Sequence, residues 1–215
     1  MIQTDERFPN LRVLTHPLIR HKLARARDKT TPTREFRRLV NEIAGLMTFQ
    51  LCSDLPLREV EVETPLEVLQ GERIARPITL VPVLRAGLGM TDGILAIFSE
   101  ARVGHIGLFR DEETLEPVSY YTKLPTDLDG GHTILVDPMV ATGHSAVKAA
   151  SVLKEHGCTR LQMVCLVCAP EGVGEMLEHH PDVMLYTAAL DRELNENGYI
   201  LPGLGDAGDR LFGTL

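Results

Sequence analysis

One stretch of the chain carries most of the information about its fold: Ile134-Leu135-Val136-Asp137-Pro138-Met139-Val140-Ala141-Thr142-Gly143-His144-Ser145. An apolar strand of the buried type, at 133–136, ends at the acidic side chain of Asp137. A loop with hydroxyl side chains and glycine follows, and a helix is predicted from about 144 to 156. Free backbone amides and the positive end of the helix dipole bind phosphate groups at such a place. The stretch is typical of a phosphate-binding loop, although an ordinary strand-to-helix turn with Ser and Thr caps has the same pattern.

The alternation of strand and helix continues on both sides of this stretch. Before it, 78–84 predicts a buried strand, 88–98 predicts a helix, and 103–109 is a further apolar run. After it, strands are predicted at 161–168 and 183–190, with a helix at 171–179 between them. This order predicts an α/β fold in which helices flank both faces of a parallel sheet. Ligands bind such sheets beyond the carboxyl ends of the strands, so the residues after each strand are the candidate site.

The remaining segments are less regular. Residues 1–30 are mixed and predict an arm, or a helix packed against a partner subunit. Thr31 as N-cap and Pro32 at the first helical position predict the start of a helix. Residues 111–131 are polar and contain prolines, which is typical of an excursion such as a hairpin. We expect residues 1–215 to form a single domain.

Composition excludes several classes of function. The chain has 215 residues and a net charge of −8, and an acidic chain gains little from counterion release on DNA or RNA. No apolar run reaches the roughly 18 residues that suggest a membrane span, and the N-terminus lacks the apolar core of a signal peptide. We therefore expect no nucleic-acid partner, no membrane partner and a cytoplasmic location.

Cys165 and Cys168 form a CxxC pair, which on its own would indicate zinc or redox chemistry. The pair lies inside an unbroken apolar run, and a zinc site would need further ligands at a fixed spacing. Buried thiols on a strand are the favoured interpretation, and reduced thiols are typical of a cytosolic protein.

Two further segments contain candidate binding residues. Arg85 follows the strand at 78–84, beside Gly87 and Gly89, and its fork of donors suits pyrophosphate. A dinucleotide interpretation of these glycines is weak, because the third glycine of that motif is out of place. The segment 194–210 is rich in glycine, which allows the backbone to approach a ligand closely, although a plain C-terminal loop is the alternative.

Four motifs of the chain resemble those of the uracil phosphoribosyltransferases. The stretch 134–145 resembles the motif that binds 5-phosphoribosyl-1-pyrophosphate (PRPP), and its Asp-Pro-Met form is specific to the uracil enzymes. The segment 81–90 resembles their pyrophosphate loop, and 107–117 is similar to their pattern of Arg followed by Glu-Thr-Leu-x-Pro. The segment 194–210 resembles their uracil-binding segment. The sequence departs from the motif at His144, where glycine is usual.

The resemblance implies an enzyme that transfers the 5-phosphoribosyl group from PRPP to uracil, giving UMP and pyrophosphate. It implies a phosphoribosyltransferase-like sheet with an N-terminal arm or helix and a C-terminal hood over the base. It also implies that PRPP carries Mg²⁺, that the protein is a homodimer or higher homo-oligomer, and that GTP is an effector. The catalytic residues would be Arg85, Asp137 and Asp206, and Ile200, Gly205, Asp206 and Ala207 would bind uracil. PRPP would be bound by Arg85, Arg110, Asp137, Pro138, Met139, Val140, Ala141, Thr142, Gly143, His144, Ser145 and Asp206.

Two rival functions remain. Phosphoribosyltransferase folds also occur in regulators that sense nucleotides and bind RNA, but such a protein should carry a basic face. A purine or orotate phosphoribosyltransferase is the alternative among enzymes, and it would lack the glycine-rich segment at the C-terminus.

Overall fold

The structure follows the predicted alternation of strands and helices. It is a computed structural model that describes residues 2–110 and 117–214, without the side chains of Arg110 and Pro117. The strands are β1 (Ile2–Asp5), β2 (Phe8–Leu14), β3 (Leu57–Glu63), β4 (Val68–Ile74), β5 (Ile78–Leu84), β6 (Arg102–Val103), β7 (His105–Arg110), β8 (Pro117–Lys123), β9 (His132–Val136), β10 (Met139–Val140), β11 (Leu161–Cys168), β12 (Met184–Leu190), β13 (Glu193–Leu194) and β14 (Ile200–Leu201). The helices are α1 (Pro17–Arg27), α2 (Thr33–Leu51), α3 (Leu88–Ile97), α4 (His144–Glu155), α5 (Pro170–His179) and α6 (Ala207–Phe212).

The main sheet has the strand order β1-β2-β12-β11-β9-β5-β7-β8. The pairs from β2 to β7 are parallel, and the pairs at the two edges, β1 with β2 and β7 with β8, are antiparallel. Strands β5 and β11 are buried along nearly their whole length, since helices cover both faces of the sheet. The predicted parallel sheet is confirmed.

Two hydrophobic clusters lie on opposite faces of this sheet. Alternate residues of one strand enter different clusters, as Leu80 and Val81 of β5 do, because successive side chains point to opposite faces. Helices α1, α2, α3 and α6 cover one face, and α4 and α5 cover the other. Within the described residues, no helix combines the length and the apolar character that crossing a bilayer requires.

The predicted start of α2 is wrong by one residue. Pro32 occupies the N-cap position and the helix begins at Thr33. The Thr31 hydroxyl donates instead to the Arg25 carbonyl at 2.7 Å, so it is not available as a cap. The apolar stripe of the helix is confirmed, since Phe36, Leu39 and the other predicted core members are buried.

The N-terminal segment belongs to the core of its own chain. Strand β2 extends the main sheet beside β12, and α1 buries Ile19, Leu23 and Ala26 in the cluster that also contains α2. From the sequence, residues 1–30 could form either an arm or a helix packed against a partner subunit. The β3–β4 hairpin, which pairs Leu57–Glu63 with Val68–Ile74 and is largely exposed, was not predicted.

The excursion after β7 returns along the sheet edge as β8, with Phe109 opposite Val118. The predicted hairpin is confirmed for these two strands. Residues 111–116, which connect them, lie outside the described residues.

The hood is the C-terminal segment 193–214, made of the short β13–β14 hairpin and α6. Arginine side chains bond its backbone to the N-terminal helices. Arg27 donates to both carboxylate oxygens of Asp191, at 2.8 and 2.6 Å, and to the Gly203 carbonyl at 2.8 Å. Arg37 donates to the Leu211 carbonyl at 2.6 Å, and Arg210 donates to Leu204 and Asp28 carbonyls. The hood is therefore fixed mainly by contacts with residues that lie far from it in sequence.

Replacing Arg27→Met should destabilise the protein by about 3 to 5 kcal/mol, because it leaves the buried Asp191 carboxylate without its partner. Urea unfolding would measure the loss. The matched control is Arg25→Met on the same helix, where the arginine pairs with Glu35 near the surface and the loss should stay within about 1 kcal/mol. Equal losses of stability in the two variants would contradict a special stabilising role for the ion pair between Arg27 and Asp191.

Candidate functional site

The candidate site lies at the carboxyl ends of β5 and β9, which are neighbouring parallel strands. Pro82 of β5 is opposite Val136 of β9, so the loops that begin at Arg85 and Asp137 leave the sheet side by side. The hood packs over the same edge, and a Cβ added to Gly198 would lie 3.8 Å from Thr142 Cγ2. Three segments that the sequence singled out thus meet at one end of the sheet.

The phosphate loop, residues 137–145, is held against α5. Its strand β10 pairs with the end of β11. Gly143 has a φ of 88°, and a Cβ there would lie 2.7 Å from the Cβ of Glu175 and 2.8 Å from the Gly172 carbonyl oxygen. A Cβ on Gly172 would collide with the Ala141 carbonyl oxygen. Both positions require glycine because the loop backbone touches the helix directly.

The loop leads into the start of α4, where backbone amides are available to a ligand. Among the described residues no side chain caps this helix start, and His144 and Ser145 are exposed there. Unpaired amides and the helix dipole together favour an anion at this place. The predicted strand, loop and helix are confirmed, while phosphate binding stays a prediction.

Asp137 is half-buried at the tip of β9 and has few polar contacts. The Met139 amide lies 3.4 Å from its Oδ1. Burial raises the pKa of Asp137 to about 7, and the hydrogen bond from Met139 opposes this only weakly. A carboxylate with few protein partners can accept hydrogen bonds from hydroxyl groups of a ligand or bind a cation.

Arg85 is exposed in the loop after β5, and its guanidinium carbon lies 5.4 Å from the centre of the Phe212 ring in α6. This contact joins the loop to the hood. The Leu84–Arg85 peptide bond is cis, which the sequence did not predict. The side chain of Arg110, the other predicted pyrophosphate contact, lies outside what the structure describes. Its strand β7 is next to β5, with Leu84 opposite Gly107.

A cavity of about 240 Å³ lies between the phosphate loop and the hood. It contains the predicted base contacts Ile200, Gly205 and Asp206, whereas Ala207 is buried behind them at the start of α6. Sequence reasoning missed Asn197, Tyr199 and Leu204 as lining residues. The residues that line the cavity are Met139, Ala141, Asn197, Gly198, Tyr199, Ile200, Leu204, Gly205 and Asp206. The glycine-rich run as a whole was the signal that could have indicated them.

Asp206 caps α6. Its Oδ1 accepts a hydrogen bond from the Asp209 amide at 2.9 Å, and the side chain is exposed at the edge of the cavity. An acidic residue three positions before another at a helix start is a sequence signal for such a cap. Asp206 therefore has a structural task in addition to any contact with a ligand.

The raised pKa of Asp137 predicts a pH-dependent effect of Asp137→Asn on the ligand-free protein. As pH rises from about 4 to 8, the unfolded chain releases this proton before the folded protein does, so the wild type loses up to about 4 kcal/mol that the variant keeps. The variant should therefore gain stability relative to wild type at pH 8 and little at pH 4, measured by thermal unfolding. A difference that is the same at both pH values would contradict the burial of this charge.

The family model for uracil phosphoribosyltransferase matches residues 13–214. A uracil phosphoribosyltransferase from Halalkalibacterium halodurans is 59% identical over 203 residues, which are 94% of this chain and 97% of the relative. One from Bacillus licheniformis is 58% identical over the same shares of both chains.

Solved structures with the same fold are also similar to this chain. The structure of a protein from Aquifex aeolicus superposes with a TM-score of 0.90 at 36% identity, covering 94% of this chain and 97% of that one. A hypoxanthine-guanine phosphoribosyltransferase from Bacillus anthracis shares the fold, with a TM-score of 0.52 at 12% identity over 74% of this chain and 80% of that one. The chain belongs to the uracil phosphoribosyltransferase family.

Proposed function

We propose that this protein transfers the 5-phosphoribosyl group from PRPP to uracil and releases UMP and pyrophosphate, a reaction of pyrimidine salvage. The observation that supports it most directly is the convergence of the phosphate loop, the Arg85 loop and the hood cavity at one edge of the sheet. These three parts correspond to the three parts of the reaction: a phosphorylated sugar, a pyrophosphate leaving group and a base.

In this reaction a uracil nitrogen bonds to C1 of the ribose and releases its proton to solvent, as the bond from C1 to the pyrophosphate oxygen breaks. The protein supplies no nucleophile, so its task is to position the reactants and to stabilise charge. The amides at the start of α4 and the Thr142 and Ser145 hydroxyls would anchor the 5-phosphate. Asp137 would accept hydrogen bonds from the ribose hydroxyls. Arg85 and Arg110 would stabilise the negative charge of the departing pyrophosphate.

The base would be recognised by the backbone of the hood. Uracil presents an acceptor, a donor and an acceptor along one edge, and N–H, C=O and N–H groups match that order. Cytosine would face a donor with another donor, and an unpaired buried polar group costs enough to discriminate. A backbone can make this distinction only if it is held in place, which the bonds from Arg27 and Arg210 to the hood carbonyls achieve.

Magnesium would arrive with PRPP. Within residues 2–110 and 117–214, no group of three or more His, Cys, Asp or Glu side chains could hold a metal ion. Mg²⁺ often binds through one or two carboxylates together with substrate phosphates, and the half-buried Asp137 is the carboxylate at the tip of β9 that fits such a role. The bound ion would offset the charge of the pyrophosphate.

We propose further that the protein is a cytoplasmic homodimer or higher homo-oligomer. Large apolar side chains are exposed on the β3–β4 hairpin and near the ends of α2 and α3, among them Leu66, Phe49 and Ile97. Such surfaces are typical of subunit contacts. The free, buried thiols of Cys158, Cys165 and Cys168 are consistent with a reducing compartment.

GTP is proposed as an effector. A second cavity, of about 790 Å³, lies apart from the base cavity between α2, the start of α3 and the end of α6. Arg34, Arg37 and Arg38 line it beside Glu35 and Asp92, and its size is that of a nucleotide, whose phosphates the guanidinium groups could bind. Activity measured with and without GTP would test this role.

Base competition tests the proposed reaction and separates it from its rivals. Labelled uracil, cytosine, orotate and hypoxanthine would each be incubated with PRPP and Mg²⁺, and nucleotide formation would be measured. We expect product from uracil alone. Product from hypoxanthine or orotate would indicate a different phosphoribosyltransferase, and UMP binding without any product would favour the regulator.

Asp206→Asn tests the role of that carboxylate in the reaction. Asparagine caps a helix about as well as aspartate, so the fold and the stability should be preserved. We expect turnover to fall by on the order of tenfold or more while the melting temperature stays near that of the wild type. Asp206→Ala, which also removes the cap, should lose stability as well. Wild-type turnover in the Asn variant would remove Asp206 from the mechanism.

A further inference from the structure

Arg85 is a charged side chain whose protein contacts bear on how it can meet a pyrophosphate group. It lies in the exposed loop that follows β5. Within residues 2–110 and 117–214, the arginines that pair with a carboxylate are Arg7, Arg25, Arg27, Arg38, Arg102 and Arg192. Arg85 is not one of them, so no carboxylate of these residues competes with a ligand for its guanidinium. A long side chain that nothing holds would lose much of its rotamer freedom on binding.

The Phe212 ring, at the end of α6, contacts this guanidinium. The guanidinium carbon lies 5.4 Å from the ring centre, which is within the roughly 6 Å over which an aromatic ring attracts a cation. The ring attracts the positive charge without taking the N–H groups that a carboxylate or a carbonyl would accept. The donors of Arg85 therefore stay available for the bidentate contact that a phosphate group favours.

Phe212 is itself fixed by the packing of α6. A Cβ added to Gly89 would lie 2.7 Å from both methyl carbons of Leu211, so the end of α6 lies directly on the start of α3, to which the Arg85 loop leads. Arg37 of α2 donates to the Leu211 carbonyl at 2.6 Å, next to Phe212 in the chain. The backbone that carries the ring is therefore held from two sides, and the ring can restrict the guanidinium.

Helix α6 connects the two halves of the proposed site. It begins after Asp206, which caps it and lines the base cavity, and it ends at Phe212 beside Arg85. A change that loosened the whole helix would weaken the binding of base and pyrophosphate together. A change confined to the contact between ring and guanidinium would weaken the binding of pyrophosphate alone. These two results distinguish a positioning role of Phe212 from a structural one.

We propose that Phe212 is a positioning residue of the reaction, whose ring holds the Arg85 guanidinium where it meets the pyrophosphate of PRPP. The ring acts through Arg85 and needs no contact with the reacting atoms. This inference rests on the proposed function and deepens it, because pyrophosphate is the leaving group of that reaction. An arginine held in place before the ligand arrives has less freedom to lose when the pyrophosphate binds.

Steady-state kinetics of Phe212→Leu test this proposal. Leucine keeps an apolar side chain at the end of α6 but has no aromatic face. We expect KM for PRPP and the inhibition constant of the product pyrophosphate to rise about twofold to fivefold, the size of an exposed contact between a cation and a ring. KM for uracil and the melting temperature should stay at the wild-type values. Phe212→Tyr retains the ring and should match the wild type in all four quantities.

Phe8→Leu is the matched control. The Phe8 ring centre lies 5.1 Å from the guanidinium carbon of Arg7, which is a contact of the same kind. Phe8 begins β2, which is parallel to β12, so it lies at the amino edge of the sheet, opposite the candidate site. We expect this variant to leave both KM values and the inhibition constant of pyrophosphate unchanged.

Arg85→Gln tests whether Phe212 acts through the arginine. Without the guanidinium the ring has no cation to hold, so adding Phe212→Leu to Arg85→Gln should not raise the inhibition constant of pyrophosphate any further. A further rise as large as that caused by Phe212→Leu alone would show that the ring acts by another route, and would contradict the proposal.

Two results with Phe212→Leu would also overturn the proposal. One is an unchanged inhibition constant of pyrophosphate together with an unchanged KM for PRPP. The other is an equal rise in KM for uracil with a lower melting temperature, which would mean that the ring only holds the hood. In both cases the wild type forms UMP and the proposed function stands. Failure of the wild type to form UMP at all would overturn both the function and the role of Phe212.

Discussion

An ion pair between Arg27 and Asp191 holds together three parts of the chain that are far apart in sequence. Arg27 ends α1, Asp191 follows β12, and both bond to the backbone of Gly203 in the hood. Because Asp191 is buried, breaking the ion pair would leave an unpaired charge in the protein interior, at a large cost in free energy. The hood buries Ile200, Leu204 and Leu211 in the core, and this ion pair, with Arg37 and Arg210, fixes its glycine-rich backbone by hydrogen bonds.

A second constraint is the contact of the phosphate loop with α5. Gly143 and Gly172 bring the two backbones together, so the loop has little room to adjust when a ligand arrives. A preorganised loop binds without reordering its own backbone, and this matters for a reaction in which the protein mainly positions its substrates. The same contact places Glu175 beside the loop.

The electrostatics of the site differ from those of the whole molecule. The chain carries a net charge of −8, yet its proposed ligands are strongly anionic. Backbone amides at the start of α4 and the Arg85 guanidinium supply local positive potential at the carboxyl edge of the sheet, where net charge has little influence at short range. Burial of Asp137 works in the same direction, since a raised pKa lowers the negative charge of its side chain.

The sequence by itself determined the parallel core, because β5 and β11 are buried on both faces and appear as unbroken apolar runs. It also determined the phosphate loop, because a strand, a glycine and a helix start follow one another directly. It did not determine the β3–β4 hairpin, whose exposed alternating residues give no core signal, or the true start of α2, where the Thr31 hydroxyl is taken by Arg25. It did not single out Arg27 at all, and it indicated Asp206 as a catalytic residue and a ligand contact. The cap that Asp206 forms on α6 is a local contact with the Asp209 amide. The role of Arg27 in fixing the hood depends on Asp191 and Gly203, which only folding brings to it, so only the tertiary structure decided it.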